Sequence, residues 1–278
     1  MNNILTIDVE GWENAISGLC GEIISSDEKV LKNLYELLEI FEKYDAKGTF
    51  FFLGELADKF PRILKEVESL GHSIAFHCYY HRDISKISFD KLNEELKNGK
   101  DLIEQIIGKK VIGFRAPNFT LMKCKMEIFD LLLDLGFKYD SSIFPYKKYN
   151  GFMPPLKPFW LKTPSGRQIF EVPLSVVSIF GFKIPCLGGA FLRNYPLFMT
   201  KFAIRRIQKE KRQIVFYIHP HEFEDINFKN INVKINFLRK ILEKRGRKKV
   251  KFYLEILLEK FKFDKIEKIY ENEIGNFG

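Results

Sequence analysis

The sequence predicts an α/β protein in which a largely parallel β-sheet is covered by helices. Short, continuously apolar runs alternate along the chain with longer segments whose apolar residues recur at helical spacing. Apolar strands that alternate with helices are typical of parallel sheets, because such strands are buried on both faces. The chain has 278 residues, 46% of them hydrophobic, and no Pro/Gly/Ser-rich linker divides it, which favours one large domain.

The predicted elements follow one another in a regular order. Strands are predicted at residues 3–7, 48–53, 72–76, 110–114, 137–140, 169–175 and 214–218. Helices are predicted at residues 27–44, 60–71, 88–108, 125–136 and about 195–211, with two more near 231–244 and 251–270. Residues 141–195 are rich in proline, and we expect them to form a lid or one wall of a cleft. We expect a single domain over residues 1–278, with a catalytic core to about residue 225 and a helical extension after it.

The net charge is +9, and the basic residues are densest at residues 202–212 and 244–249. A basic surface can bind nucleic acid, anionic lipid or an anionic substrate, although a charged segment is most often solvated surface. Aromatic residues are not interleaved with the basic ones as in modules that stack nucleobases, so we expect no nucleic-acid partner. Peripheral contact of the basic C-terminal region with an anionic membrane is the alternative that we keep.

The N-terminal residues give no sign of a secretory signal, because no basic segment is followed there by a long apolar one. No run approaches the roughly 18–20 apolar residues of a membrane span. Cys20, Cys78, Cys124 and Cys186 lie far apart with no C-x-x-C spacing, which favours free thiols. We therefore expect a cytoplasmic protein, which can also sit peripherally on the inner face of the cell membrane.

Ionisable or metal-ligating residues lie at or just after the carboxyl ends of five of the predicted strands. They are Asp8 and Glu10, His77 and His81, Arg115, Asp140, and His219. In a parallel barrel or a doubly wound sheet, all carboxyl ends of the strands lie on one face, where active sites gather. The amino ends of the same strands carry mostly Asn, Gly and Lys, and His72, which begins a strand, is expected to be structural. The asymmetry predicts a catalytic face.

These residue types permit metal-assisted hydrolysis. Two histidines four residues apart, such as His77 and His81, can bind zinc or another first-row divalent ion when a carboxylate completes the set, although such a pair can also be buried or surface histidines without a metal. Asp8 and Glu10 can divide the roles of ligand and base, and the sequence leaves the assignment open. Arg115 can orient the free carboxylate.

A general acid is also available. His219 suits that role because its ordinary pKa lies near neutrality, and Asp140 can hydrogen-bond it. His221 and Glu222, which follow at once, are more readily explained by packing or substrate contact.

Taken together, these motifs resemble the polysaccharide deacetylases of the NodB-homology type, carbohydrate esterase family 4. The matching stretches, in order, are "TIDVE", "HCYYH", "RAPNF", "YDSS" and the "IH" at residues 218–219. The pattern through "YDSSIFP", "EVPLS", "GGAFLR" and "FYIHPHE" resembles a subgroup associated with surface and extracellular polysaccharide gene clusters. The resemblance covers residues 4–225 and implies a distorted (β/α)7-type barrel with its helices outside and extra C-terminal helices.

The resemblance implies a role for each matching residue. Asp8 matches the base, His77 and His81 the metal ligands, Arg115 the residue that orients the base, Asp140 the partner of the acid, and His219 the acid. The first motif departs from the usual adjacent aspartates, and we assign Glu10 as the third ligand. Contacts to the substrate are expected from Trp12, Pro117, Phe119 and Ile218. Cys78 stands where the family usually has Ser or Thr, and a thiol beside the metal could be redox-sensitive.

The resemblance implies an enzyme that removes an N-acetyl group from an amino sugar. It also implies a divalent-cation cofactor, for which zinc is the first choice and cobalt, nickel and iron are the alternatives. The expected substrate is an amino-sugar glycan, a sugar nucleotide or a lipid-linked glycan. Two other enzymatic readings keep the fold, namely a deformylase and a cyclic-amide hydrolase. A third reading is a non-catalytic glycan-binding protein on a deacetylase fold that has lost its activity.

Overall fold

The computed structural model describes residues 2–14, 27–226, 228 and 236–275, and all statements below refer to these residues. Cys20 and the start of the first predicted C-terminal helix lie outside the described residues.

One large sheet organises the described chain. Its strands are β1 (Asn3–Val9), β2 (Thr49–Phe52), β3 (Ser73–Phe76), β4 (Gly113–Phe114), β5 (Tyr139–Asp140), β6 (Phe159–Lys162), β7 (Gln168–Glu171), β10 (Val215–Ile218) and β11 (Phe263–Asp264). They run in the order β10-β1-β2-β3-β4-β5-β7-β6, and β11 also pairs with β1. Every pairing is parallel except that of β6 with β7 at the edge. Strands β8 (Val176–Ile179) and β9 (Phe182–Pro185) form a separate antiparallel hairpin.

Helices connect the parallel strands. They are α1 (Asp27–Lys43), α2 (Gly54–Lys59), α3 (Pro61–Ser69), α4 (Phe89–Ile107), α5 (Glu127–Asp134), α6 (Gly189–Asn194), α7 (Leu197–Lys209), α8 (Phe237–Lys244), α9 (Arg247–Lys260), α10 (Ile266–Ile269) and α11 (Glu271–Ile274). None of the helices in the described ranges has both the length and the apolar composition that a membrane-spanning segment requires. The predicted parallel α/β architecture is confirmed.

The core forms where the strands meet the helices. All residues of β1 and β2 are buried, including the consecutive Phe50, Phe51 and Phe52. A strand can be apolar on both faces only when both are covered, so these runs require the helical layer outside the sheet. His72, at the amino end of β3, accepts a hydrogen bond at Nδ1 from the Gly48 amide over 3.1 Å. The structural role predicted for His72 is confirmed.

The segment 141–195 is more regular than the sequence indicated. It contains the β6–β7 and β8–β9 hairpins, whose turns place Gly166 and Gly181 at φ of 86° and 83°. The high proline content of this segment is typical of an irregular loop, and for this reason the sequence did not predict most of these short strands. The second C-terminal helix also differs from the prediction, since α9 begins at Arg247 and ends at Lys260. The extended β11 follows it and pairs with β1, so the predicted extension contributes to the main sheet.

Candidate active site

The carboxyl ends of the central strands bring the predicted polar residues together. Asp8 lies near the end of β1, and Arg115 and His219 follow β4 and β10. Because β10, β1, β2, β3 and β4 are parallel neighbours, these residues share one edge of the sheet. Asp8 and Arg115 are almost completely buried, and the side chain of His219 is 14% exposed.

One cluster consists of Glu10, His77 and His81, all of them buried. The Oε2 atom of Glu10 lies 2.5 Å from Nε2 of His81 and 3.7 Å from Nε2 of His77. His77 donates a hydrogen bond from Nδ1 to the carbonyl oxygen of Arg115 over 2.7 Å. A carbonyl only accepts, so Nδ1 carries the proton and the lone pair of Nε2 faces Glu10 in the neutral ring. Such a hydrogen bond on the outer nitrogen is the usual means of orienting a metal-binding histidine.

The donor set fits a divalent cation. Burial would raise the pKa of the Glu10 carboxyl, but His81, His221 and His77 outweigh it and hold this pKa well below its ordinary value. Glu10 Oε2 is buried without a hydrogen bond of suitable geometry. Two imidazoles and one carboxylate are the ligands of many catalytic zinc sites, which keep a position open for water or substrate.

Asp8 is held by Arg115. Arg115 donates from Nη1 to Asp8 Oδ1 over 2.7 Å and to Thr6 Oγ1 over 2.9 Å. It also donates from Nε and Nη2 to the carbonyl and hydroxyl oxygens of Ser141. The guanidinium lies 4.2 Å from the centre of the Phe51 ring. The arginine is thus fixed in one position, and it leaves Asp8 Oδ2 to face the site.

His219 faces the two acids with one nitrogen and Glu222 with the other. Its Nε2 atom lies 3.8 Å from Asp8 Oδ2 and 3.7 Å from Glu10 Oε1, while Nδ1 donates to Glu222 Oε1 over 3.1 Å. Burial would lower the pKa of His219, but the hydrogen bond to Glu222 and the charges of Glu10, Glu222 and Asp8 raise it to about 9. The imidazole is therefore protonated at neutral pH in this environment.

Glu222 in turn pairs with the buried Arg193. Burial would raise the pKa of Glu222, but the charge of Arg193 and the contact with His219 lower it well below its ordinary value. Arg193 also donates to Glu243 Oε2 over 2.9 Å. The three side chains form a buried His219–Glu222–Arg193 row that the sequence analysis missed. The i, i+3 spacing of His219 and Glu222 in "HPHE" could have indicated that these two side chains meet.

The predicted hydrogen bond between Asp140 and His219 is wrong. Asp140 accepts bonds from the amide and hydroxyl of Ser142, at 2.9 and 2.6 Å, and is hydrogen-bonded to the neighbouring Glu171. Burial raises the pKa of both carboxyls, and the charge of Asp140 adds to the rise at Glu171. Asp140 lies on β5, separated from β10 by the strands β1 to β4, so His219 uses the local partner instead.

A glycine pair brings Arg193 to the site. Gly188 has φ of 101°, and a Cβ there would lie 1.9 Å from the Tyr217 carbonyl oxygen. A Cβ on Gly189 would lie 3.2 Å from Cε1 of His219. Only a chain without side chains at these positions can pass so close to β10, and α6 begins there and carries Arg193.

The four residues predicted to contact the substrate differ in how exposed their side chains are. Ile218 has no exposed surface and packs in the hydrophobic core, so it does not line an open pocket as expected. Pro117 is buried and Trp12 is 4% exposed. Phe119 is half-buried, has φ of 55° and packs edge-on against Tyr217, which itself contacts the ring of His219. Phe119 is therefore the best placed of the four to meet a substrate.

Cys78, between the two histidines in sequence, is fully buried, and burial raises the pKa of its thiol well above the ordinary value. The thiol is therefore protonated, and Cys78 is not among the candidate metal ligands of the described residues. The proposed redox sensitivity stays a prediction.

Residues 25–139 match the family model described as polysaccharide deacetylase. These residues therefore form a polysaccharide deacetylase domain. Residues 141–271 match a second model, described as a domain of unknown function, DUF3473. The family inferred from the motifs is confirmed, and the second half of the chain, which supplies Arg193, His219 and Glu222, matches a model without an assigned function.

Two curated deacetylases are similar to part of the chain. A peptidoglycan deacetylase of Helicobacter pylori is 30% identical over 153 residues, which is 52% of this chain and 48% of that protein. A peptidoglycan-N-acetylglucosamine deacetylase of Bacillus cereus is 32% identical over 92 residues, 33% of this chain and 34% of that protein. The chain spans less than half the length of these relatives.

A solved structure of a polysaccharide deacetylase homologue from Mycobacterium smegmatis matches the fold with a TM-score of 0.63. It is 18% identical, and the match covers 98% of this chain and 91% of that one. The predicted distorted (β/α)7-type barrel is confirmed.

Proposed function

We propose that this protein is a metal-dependent hydrolase that removes the N-acetyl group of an amino sugar in a glycan or glycan precursor. The proposal rests mainly on how the histidine pair, His219 and Asp8 are arranged beside Glu10. The pair of His77 and His81 faces one of its oxygens, His219 lies 3.7 Å from the other, and Asp8 Oδ2 lies 3.8 Å from His219. The two curated relatives support the acyl group and the sugar, since both are named as deacetylases of peptidoglycan.

Glu10, His77 and His81 would hold the cation, which supplies Lewis-acid activation of water and of the amide carbonyl. Zinc fits these ligands best, and cobalt, nickel or iron fit them as well. Asp8 accepts the proton of the attacking water through Oδ2, because Arg115 engages Oδ1. His219 donates its Nε2 proton to the leaving amine, and Glu222 stabilises the protonated ring.

Acyl release from a panel of N-acylated sugars tests the proposal. The panel contains sugar nucleotides, lipid-linked glycans and short amino-sugar oligomers, each with acetyl or formyl groups, together with a cyclic ureide. We expect acetate from at least one amino sugar with the zinc-loaded enzyme. Formate alone would indicate a deformylase, ureide opening a cyclic-amide hydrolase, and binding without any release a glycan-binding protein.

Substitutions of the base and the acid give the matched test. Asp8→Asn and His219→Ala should each lower turnover by about 10²- to 10⁴-fold, the usual contribution of acid–base groups. Both variants should retain the zinc ion held by Glu10, His77 and His81, because neither residue is a ligand of that ion. Activity near that of the unaltered enzyme in either variant would reject the assigned role.

We further propose that the substrate is a lipid-linked intermediate at the inner face of the membrane. Support comes from α8, which buries none of its residues and exposes Phe237 by 73% and Leu238 by 68%, with Ile241 and Leu242 beside them. Lys244 follows on the same short helix. An amphipathic helix with basic and large apolar residues is suited to lie in the interface of an anionic bilayer.

Fewer residues of the basic segment 244–249 are available for lipid contact than we expect from the sequence. Arg247 is 4% exposed and donates to the backbone carbonyls of Glu243 and Glu224, so it is a structural residue and not a lipid contact. Lys244, Arg245 and Lys248 remain exposed.

Co-sedimentation with vesicles that contain about one third anionic lipid tests the surface. Leu238→Glu and a combined Lys244→Ala and Arg245→Ala variant should each bind vesicles less well than the unaltered protein. Phe252→Glu, which changes an aromatic residue on α9 that is 62% exposed, is the control and should bind normally. Equal binding of all four proteins would reject α8 as the membrane contact.

A further inference from the structure

A second group of potential ligands lies on the other side of Glu10. Glu10 Oε1 is 3.7 Å from Nε2 of His219 and 3.7 Å from Nε2 of His221, whereas Oε2 faces His77 and His81. The two oxygens of one carboxylate thus each face a pair of imidazoles. A carboxylate in this position can bind two cations, one through each oxygen.

The ring of His221 has no other assigned use. It is 4% exposed, and neither of its nitrogens makes a hydrogen bond of ordinary length among the described residues, since Nε2 approaches Glu10 Oε1 only to 3.7 Å. A buried imidazole without a close partner is unfavourable, because the lost hydration is not replaced. The ring stacks on His219 with centroids 4.8 Å apart and planes inclined by 21°, so the two Nε2 atoms reach the same oxygen of Glu10.

His219 is also prepared to act as a ligand. Its Nδ1 donates to Glu222, so the neutral ring presents the lone pair of Nε2 to the site. A carboxylate on the outer nitrogen fixes the ring and raises its basicity as a ligand. His77 has the same arrangement on the other side of Glu10, with the carbonyl oxygen of Arg115 as the acceptor.

We propose that Glu10, His219 and His221 form a second divalent-cation site, joined to the Glu10–His77–His81 site through the two oxygens of Glu10, and that a cation bound there inhibits the enzyme. The reason for inhibition is that the cation and the catalytic proton compete for the same atom, Nε2 of His219. This consequence rests on the acid role proposed for His219, whereas the existence of the site does not.

Zinc binding measured by equilibrium dialysis and elemental analysis tests the site without any substrate. We expect the apoprotein to bind two zinc ions per chain, and a crystal soaked in zinc to show two anomalous peaks on opposite sides of Glu10. His221→Phe and His221→Gln should each bind one. His72→Asn, which removes another buried histidine, is the control and should bind two.

Activity gives the second readout. Excess zinc should inhibit the unaltered enzyme, and the zinc concentration for half-inhibition should rise by about tenfold or more in the His221 variants, each normalised to its own maximum. One zinc per chain in the unaltered protein would overturn the second site and leave the proposed function intact. Two zinc ions in both His221 variants would also overturn it. Absence of bound zinc would contradict the proposed function as well.

Discussion

Replacing Glu222 by Gln tests the electrostatic support of His219. Gln keeps the size of the side chain and an oxygen that accepts from Nδ1, but it removes the charge. The pKa of His219 rises from the ordinary 6.5 to about 9 in this site, a change of about 2.5, which corresponds to roughly 3 kcal/mol in favour of the protonated ring. Glu222 is the first of the groups that raise this pKa, so its neutralisation should remove a large part of the rise.

The assay is the pH profile of kcat/KM for the zinc-loaded enzyme. His219 acts as an acid and must be protonated, so activity falls as the pH rises through its pKa. In Glu222→Gln this alkaline limb should move down by about 1–2 pH units, so kcat/KM should fall by about 5- to 50-fold at pH 9 and by no more than about twofold at pH 7. A bound cation shifts both profiles alike, so the difference between them is the measured quantity.

Glu243→Gln is the matched control. It removes the other carboxylate that Arg193 contacts, at 2.9 Å, without touching His219. Its alkaline limb should stay within a few tenths of the unaltered position. If Glu222→Gln binds zinc normally and its limb does not move, Glu222 has no part in setting the proton affinity of His219.

Three further substitutions probe other parts of the structure. Arg115→Lys should lower kcat by about 10- to 100-fold with unchanged zinc content, because a lysine cannot hold Asp8 in the same position, and unchanged kcat would contradict this. Burial, with nearby lysine charges, lowers the pKa of His72 to about 4, so the protein should lose about 2 kcal/mol of unfolding free energy as the pH falls from about 7.5 to 5. His72→Asn, whose side-chain oxygen can accept from Gly48, should lose correspondingly less in urea titrations at the two pH values, and an equal loss would refute the assignment. Gly188→Ala should destabilise the protein by about 1–3 kcal/mol in thermal unfolding, because a Cβ would lie 1.9 Å from a backbone oxygen, and an unchanged Tm would show that the loop can move aside.

The strand ends were predictable because they depend on few physical rules. Parallel strands place their carboxyl ends on one edge, so Asp8, Arg115 and His219 had to lie near one another once the strands were identified. Glu10 lies beside His77 and His81, and its assignment as the third metal ligand stays a prediction.

The partners of His219 were harder to predict. Glu222 meets Nδ1 only because the residues after β10 form a short 3₁₀ turn, and Arg193 reaches Glu222 only because Gly188 and Gly189 let α6 approach β10. Neither condition is visible from hydrophobic periodicity. Asp140 is an acid at a strand end, as a partner of His219 would be, but its strand is more distant from β10. Its carboxylate is hydrogen-bonded to Ser142 and Glu171 instead.

The central claim is that zinc held by Glu10, His77 and His81 enables this chain to release acetate from an amino sugar. The most direct measurement is acetate release by the apoprotein as zinc is added in known equivalents, in parallel with Glu10→Ala. The unaltered protein should gain activity in proportion to zinc up to one equivalent, and Glu10→Ala should remain inactive. Full zinc occupancy without release of any acyl group from the amino-sugar panel, or equal activity in Glu10→Ala, would contradict the claim.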